Sequence, residues 1–375
     1  MRIIQSYAKI QIKIFVLVIA VGTISVSKAQ TVRKFSNEFL KNGVSARAFG
    51  MSNSVTAIAN DASAGYWNPA GLTQVDNQFQ AEVMHAEYFA GIAAYDYAAF
   101  AMPLNNGDYF GATVIRLGID DIQNTIDLID QNGEVNYNRI STFSTADYAA
   151  LFSYAHKTKI EGLSIGANAK IVHRMIGDFA RAWGFGLDAA AQYRIREKWF
   201  LGATIRDVTT TFNAWSYSLD ERTKEVFLNT DNEIPENDIE LTAPQLTLGI
   251  ARKFYIKEKF GLLPAFDFNM TFDGQRNTLV QSNAFNLDPS FGFEADYKEL
   301  IYLRGGVGNV QTVDRQFQDG NDYTLQPNLG VGLYLKNLFG LGSLAIDYAL
   351  SDIGDQSGAL YSNVFSLRVE FNGKK

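Results

Sequence analysis

Trp183-Gly184-Phe185-Gly186-Leu187-Asp188-Ala189-Ala190-Ala191-Gln192-Tyr193-Arg194 is the stretch on which the fold turns. Successive side chains of a β-strand face opposite sides. One face here is Trp183, Phe185, Leu187, Ala189, Ala191 and Tyr193; the other is Gly184, Gly186, Asp188, Ala190, Gln192 and Arg194. The first set tolerates acyl chains and the second does not, the division that a membrane-spanning barrel strand requires. It recurs in Leu163, Ile165, Ala167, Ala169 and Ile171 against Ser164, Gly166, Asn168 and Lys170, and in Phe365, Leu367, Val369 and Phe371 against Ser366, Arg368 and Glu370. A water-soluble sandwich would carry charge on its outer face. Only 19% of residues are charged, and a continuous apolar belt of this kind would aggregate in water.

Working outward, fourteen such segments begin near Phe79, Ala94, Tyr109, Ala146, Leu163, Ala180, Phe200, Pro244, Leu262, Ser290, Ile301, Pro327, Gly342 and Asn363. Linkers at Asn105 to Asp108, Lys157 to Gly162, Arg196 to Trp199, Ile256 to Gly261, Lys298 to Leu300 and Lys336 to Leu341 are short. Most of those between them are long: Asp120 to Thr145, Thr211 to Ala243, Asp273 to Pro289, Val313 to Gln326 and Asp352 to Ser362. Short periplasmic turns and long outer loops are the bacterial barrel pattern. Asn106-Gly107 is a two-residue hairpin signal, because both positions accept positive φ. The expectation is an all-β protein, a 14-stranded antiparallel transmembrane β-barrel in the cell outer membrane, with both termini periplasmic and lipid around it.

The first residues read as an export signal: Arg2, Lys9 and Lys13, an apolar run from Ile14 to Ile24, and a small-x-small site at Ser27-Lys28-Ala29 before Gln30. The chain has no cysteine, which excludes disulfides, thiolate metal sites and N-terminal lipid attachment. Removing four of the 33 basic residues with the signal leaves 29 against 40 acidic ones, a balance that repels nucleic acid. Seven prolines, 31 glycines and the 27 Phe and 18 Tyr residues are spread with no linker-like stretch. One large β unit therefore fits better than two domains, divided as 1–29 signal peptide, 30–77 N-terminal extension and hatch, and 78–375 barrel.

Fourteen strands enclose more space than their own side chains fill. Phe35 to Asp76 lacks lipid-facing alternation. It carries weakly helical, small-residue stretches, Val44 to Ala48 and Val55 to Ala64, followed by Gly65-Tyr66-Trp67-Asn68-Pro69-Ala70-Gly71-Leu72. Tethered to the first strand and furnished with Phe35, Phe39, Phe49, Tyr66 and Trp67, it is too aromatic for a disordered tail and is suited to fold into the lumen as a plug. The hatch residues singled out are Gly43, Arg47, Gly50, Asp61, Trp67, Asn68, Pro69 and Ala70.

The run Phe39-Leu40-Lys41-Asn42-Gly43-Val44-Ser45-Ala46-Arg47-Ala48-Phe49-Gly50-Met51, with Asn60-Asp61-Ala62-Ser63-Ala64 and Trp67-Asn68-Pro69-Ala70-Gly71-Leu72, resembles the N-terminal signature of the PorV/PorQ family of FadL-like barrels. Leu201-Gly202-Ala203-Thr204-Ile205-Arg206-Asp207 is similar to that family's middle hairpin. Gly50-Met51-Ser52-Asn53 departs from the family's Gly-Met-Gly-Gly or Gly-Met-Gly-Asp, so the chain reads as a divergent PorV paralogue. The resemblance implies a fourteen-stranded barrel with an N-terminal plug. It also implies a partner role in the type IX secretion system, engaging the translocation channel protein or secreted cargo.

No chemistry is organised by the motifs. His85, His156 and His173 fall on separate strands without a Gly-x-Ser-x-Gly elbow or a His-Glu-x-x-His helix, and the protein is read as not an enzyme, without cofactor or metal. Asp130-Gln131-Asn132-Gly133-Glu134 and Asp319-Gly320-Asn321-Asp322 lack the ligand spacing of a calcium loop. Asp188, Lys170, Arg206, Asp267, Arg304, Asp347, Arg368 and Glu370 fall on the lumen face, where a network would offset buried charge and tie the hatch to the wall. In the acidic loop from Thr211 to Ala243, Trp215, Tyr217 and Phe227 are the candidate partner-binding residues; the same aromatics could instead fold over the barrel mouth. FadL-like uptake of hydrophobic compounds is the alternative function. It requires an apolar pocket and a kinked or bulged strand for lateral exit, whereas the polar lumen face favours the partner role.

Overall fold

The computed structural model describes residues 36–129, 133–196, 198–257, 259–314, 321–338, 342–351 and 362–372. The export signal and the acidic residues 130–132 and 319–320 lie outside them. Strand segments β1 (Phe79–Tyr88), β2 (Ala93–Pro103), β3 (Asp108–Asn124), β4 (Ser141–Lys157), β5 (Leu163–Ile176) and β6 (Ala180–Ile195) follow one another as antiparallel neighbours. So do β12 (Phe260–Thr271), β13 (Asn286–Tyr297), β14 (Ile301–Asp314), β15 (Asn321–Leu338), β16 (Gly342–Ser351) and β17 (Ser362–Phe371). Between these groups β7 (Trp199–Arg206) and β8 (Thr211–Tyr217) share one position in the wall, since both pair with β6. The next position is shared by β9 (Asp238–Thr242), β10 (Gln245–Arg252) and β11 (Phe254–Ile256). The wall therefore has fourteen positions. Pairing of β1 with β17, from Phe79 opposite Phe371 to Glu87 opposite Asn363, closes it, so that neither end strand is left open.

The alternation in the sequence is the alternation of the wall. On β6, Trp183 and Phe185 are exposed outward (60% and 43%), whereas Ala182, Gly184, Gly186, Asp188 and Gln192 are buried inward. Phe365 and Leu367 likewise face out while Ser366 and Glu370 face in. The stated linkers are short on the side where the chain ends lie, apart from 339–341, which is outside the described residues. The fold is that of an outer-membrane barrel with both ends of the wall on the periplasmic side.

Two stretches differ from the sequence expectation. Thr211 to Ala243 is not an open loop: β8 and β9 form a hairpin that continues the wall upward, capped by the helix Glu221–Asn229, whose first turn is held by Asp220 accepting from Thr223 N at 2.6 Å. The expected helix over Val55 to Ala64 reduces to a single turn, with Ala59 N donating to Val55 O at 2.8 Å. Backbone donors there are taken by the wall instead: Thr56 N bonds Asp267 Oδ2 at 2.9 Å and Ala62 N bonds Gln80 Oε1 at 3.1 Å. Short helices form at Ala46–Phe49 and Ala64–Trp67, and 3-10 turns at Glu38–Lys41 and Pro69–Gln74.

The apolar core lies where this N-terminal segment meets the inner face of β1 to β4. Phe39, Leu40, Val44, Met51, Tyr66 and Leu72 pack with Met84, Tyr95, Tyr97, Ile115 and Leu151. Elsewhere the approach is of backbone to backbone. A Cβ at Gly306 would come within 2.5 Å of Met51 C, and one at Gly249 within 2.8 Å of Ala57 N. The small residues on the inward set of strand positions thus make room for the segment's main chain.

Candidate functional site

The N-terminal segment is joined to the inward faces of strands on every side of the wall. Asn68, fully buried, donates from Nδ2 to Thr56 O (3.0 Å) and Ala191 O (3.1 Å) and accepts from Ala70 N on Oδ1 (3.2 Å). One side chain so fixes the segment to itself, caps the turn begun by Pro69, and reaches β6. Trp67 Nε1 donates to Val44 O at 3.0 Å, and Thr204 Oγ1 to Trp67 O at 3.1 Å. Gly43 takes a left-handed φ of 99°, and Gly50 meets Gly330 of β15 main chain to main chain.

Arg47 and Asp61 enter an ion-pair chain. Arg47 grips Glu294 of β13 with Nε at 2.9 Å and Nη2 at 3.2 Å, the planar two-point geometry that suits guanidinium and carboxylate. Glu294 also accepts from Arg304 Nε (2.8 Å), and Arg304 Nη1 donates to Asp347 Oδ1 (2.5 Å). Asp61 pairs with Arg368 of β17 and lies 3.5 Å from Arg47 Nη1. Burial by itself would raise the Asp61 carboxyl, but Arg368 and Arg47 outweigh it and hold it below the ordinary carboxylate value. A depressed folded-state value means that the pair stabilises docking above the ordinary value of 3.8 and loses that contribution as pH falls through the depressed one. Protease cleavage of the N-terminal segment in the reconstituted barrel is therefore expected to be constant from neutrality to about pH 4 and to rise below it. In an Asp61→Asn variant it should be high at every pH; an acid response that survives in that variant would assign the effect elsewhere.

A second cluster lies where the wall is interrupted. The ladder stops at Ile205 opposite Ala189 and resumes at Phe212 opposite Phe185, so residues 206–211 face only 186–188. On the other side Ala243 and Pro244 interrupt the pairing with β9 and β10, and proline has no N–H to give. Asp207 and Thr210 take positive φ values of 56° and 61°. Inside this bulge Lys170 Nζ donates to Asp188 Oδ1 (3.0 Å) and Asp207 Oδ1 (2.6 Å), Asp207 N donates to Asp188 Oδ1 (2.9 Å), and Thr211 Oγ1 also donates to Asp207. Arg206, at the bulge's edge, reaches the N-terminal segment: Nη2 donates to Tyr66 O at 3.2 Å, and the guanidinium carbon is 4.3 Å from the Tyr66 ring centroid.

Two cavities flank the segment. The outer one, about 590 Å³, is lined by amides and hydroxyls such as Asn53, Asn269, Asn328, Gln245 and Thr271, with Phe49 and Trp67 at its base. The inner one, about 310 Å³, is walled by Arg47, Asp61, Glu294, Arg304, Asp347 and Arg368. Among the described residues no three His, Asp or Glu side chains are placed to hold a metal ion.

The lumen assignment from sequence is what the structure shows for Asp188, Lys170, Asp267, Arg304, Asp347 and Glu370, all buried. The aromatic surface assigned to Trp215, Tyr217 and Phe227 is not. Trp215 shares the inward phase of Thr211 and Asn213, is buried, and donates from Nε1 to Glu240 Oε2 at 2.7 Å. Tyr217 stacks on it at 6.1 Å, and Phe227 is half-buried. Glu294, Gln192 and Thr56 were not singled out by sequence; the inward phase of the first two was the available signal.

Compared with solved structures, the chain is similar to the Ralstonia pickettii toluene transporter TbuX (13% identity, TM-score 0.52, covering 88% of this chain and 99% of that one). It is similar to a Pseudomonas aeruginosa FadL homologue (12%, 0.53, 88% and 98%) and to the P. putida toluene transporter TodX (12%, 0.53, 88% and 99%). The barrel has their fold. No family model and no curated protein matches. These findings correct the sequence-derived reading. The PorV/PorQ resemblance of residues 39–72 is overturned by a likeness, over 88% of the chain, to two toluene transporters and a FadL homologue. With it goes the expected role in type IX secretion, and neither a translocation channel protein nor secreted cargo is retained as a partner. The small residues of these runs lie where the segment's backbone meets the inner wall.

Proposed function

We propose that this chain is a non-catalytic outer-membrane transporter of small hydrophobic molecules, in which residues 30–77 form a hatch and residues 78–375 the barrel, delivered by cleavage of residues 1–29. The observation that carries the reading is the interrupted strand at 207–210, bonded through Arg206 to Tyr66 of the hatch. A gap in the hydrogen-bond ladder at the hatch's edge is the place where ligand could pass sideways between strands without crossing the hatch. The fold, shared with two toluene transporters, supports the same reading. Gly43, Arg47, Gly50, Asp61, Trp67, Asn68, Pro69 and Ala70 hold the hatch closed, and Arg206 couples it to the bulge.

One observation favours a second reading. The outer cavity is lined chiefly by amides and hydroxyls, a surface that solvates neutral polar solutes better than bare hydrocarbon. Deleting Val208-Thr209-Thr210, which shortens the bulge by three residues, separates the two. Under the first reading uptake of labelled toluene by cells falls about tenfold or more while the barrel keeps its heat-modifiable gel mobility, the size expected if about 1.4 kcal/mol or more is lost from the exit path. Toluene uptake unchanged by the deletion, together with sugar-driven swelling of liposomes holding the protein, would replace it with the second.

A further inference from the structure

The strands rise from one level at the short turns, yet the apolar face they show to lipid is not of one height. On β12, Phe260, Leu262, Pro264, Phe266, Phe268 and Met270 make six outward apolar levels. β13 repeats this from Tyr297 to Leu287, and β15 from Leu335 to Leu325, with Tyr323 beyond it. The opposite side of the wall is different. β1 turns Phe79, Ala81 and Val83 outward and then His85, and β3 turns Phe110, Ala112 and Val114 outward and then Arg116. On β2, between them, Met102, Phe100 and Ala98 are followed by Asp96. β17, across the closure, reaches Asn363 eight residues above Phe371. At a rise of about 3.3 Å per residue and a tilt of about 40°, these polar positions stand about 15–20 Å from the turn side, whereas the apolar runs of β12, β13 and β15 span about 25 Å.

Three of the four polar side chains are joined. His85, Asp96 and Arg116 lie opposite one another in register across β1, β2 and β3. His85 Nδ1 and Asp96 Oδ1 are 2.8 Å apart, and Arg116 Nη1 donates to Asp96 Oδ2 at 3.2 Å. Arg116 runs on toward the extracellular end: a Cβ at Gly118, the next outward position, would meet its Nη2 at 2.5 Å, and Nη2 is 3.9 Å from Asp120 Oδ2. A long cation laid along the wall in this way carries its charge from acyl chains to the polar layer. On β17, Asn363 Oδ1 accepts from Tyr348 Oη at 2.7 Å. Charge on a lipid-facing strand is costly at mid-depth and nearly free at the interface, and a sector with a short apolar face is met by a thinner bilayer.

We infer that the outer face of β17, β1, β2 and β3 binds the headgroup layer of the outer leaflet at the level of His85, Asp96 and Arg116, and so holds the membrane surface there about 5–10 Å closer to the periplasm than at β12 to β15. Arg116 offers N–H groups to phosphate oxygens, and Asp96 and Asn363 offer oxygens to hydroxyls and water. Phe89 and Ile92, exposed at the tip of the β1–β2 hairpin two levels farther out, then lie among headgroups and not among acyl chains. This contact belongs to the wall alone and is independent of the solute that the lumen passes.

The chain has no cysteine, so single nitroxide labels report the depth directly. Ala98→Cys lies five residues from Pro103 and Leu329→Cys six residues from Leu335, both outward, which puts the two labels at nearly one height above the turns. In full-length barrels in dioleoylphosphatidylcholine vesicles, power saturation with oxygen against a water-soluble nickel chelate is expected to place the label at 98 about 5–10 Å nearer the aqueous phase than the label at 329. Adding His85→Leu, Asp96→Leu and Arg116→Leu should sink the label at 98 to the depth of the other. Equal depths in the two barrels without the leucine substitutions would overturn the inference, whether or not the leucine variant folds. So would a label at 98 shielded from oxygen and nickel alike, the sign of a protein surface covering this face, or a difference in depth that outlasts the three leucines.

Discussion

Replacing Lys170 with methionine is expected to destabilise the barrel by about 3–5 kcal/mol, the range for removing one partner from a buried ion pair. Lys170 is 3% exposed and is the cation shared by Asp188 and Asp207. Without it two carboxylates stay in a low-dielectric wall with hydrogen bonds from Asn168 Nδ2, Asp207 N and Thr211 Oγ1 alone among the described residues. The bulge is where the damage should fall, because its main-chain bonding to β6 is reduced to Val208 N on Leu187 O (2.8 Å) and Asp207 is held chiefly by this cluster. Urea unfolding in vesicles, followed by gel mobility, measures the loss. Changing all three residues, as Lys170→Met with Asp188→Asn and Asp207→Asn, should recover most of it, because the unpaired charge is then gone. A Lys170→Met barrel that unfolds at the wild-type urea concentration would show that the cluster contributes nothing.

The second large effect is expected at the N-terminal segment. Asp61→Leu leaves Arg368 and Arg47 facing each other without the carboxylate between them, at a cost of about 3 kcal/mol. Spent on docking alone, that raises the released population by about a hundredfold. Single-channel recordings in planar bilayers should then show large openings that are rare in the unmodified protein. Arg368→Met added to Asp61→Leu should restore the quiet state in part, since Arg47 keeps its two bonds to Glu294. Conductance of Asp61→Leu equal to wild type would mean that the segment is held by its backbone contacts and buried apolar side chains without help from this pair.

Of the candidate site, the inward charges were legible because a period of two allows no choice of face once the lipid side is known. Asp188 and Lys170 follow from Leu187 and Ile171 lying outward. Trp215 was misread for the opposite reason: the acidic setting of 211–243 suggested a loop, yet the alternation of Thr211, Asn213 and Trp215 with Phe212 and Ala214 continues the strand. The bulge escaped detection altogether, since Asp207-Val208-Thr209-Thr210 holds neither glycine nor proline; Pro244, thirty-four residues after it, carried the signal on the neighbouring strand.

By itself the sequence determined the membrane barrel, its fourteen positions and its direction in the envelope, because acyl chains and water sort side chains by a local rule that needs no knowledge of neighbours. Tertiary structure alone decided the rest. Which carboxylate meets Arg47 and where the ladder breaks are matters of register between segments apart in the chain. A one-residue change in pairing would alter each of them and leave the alternation intact.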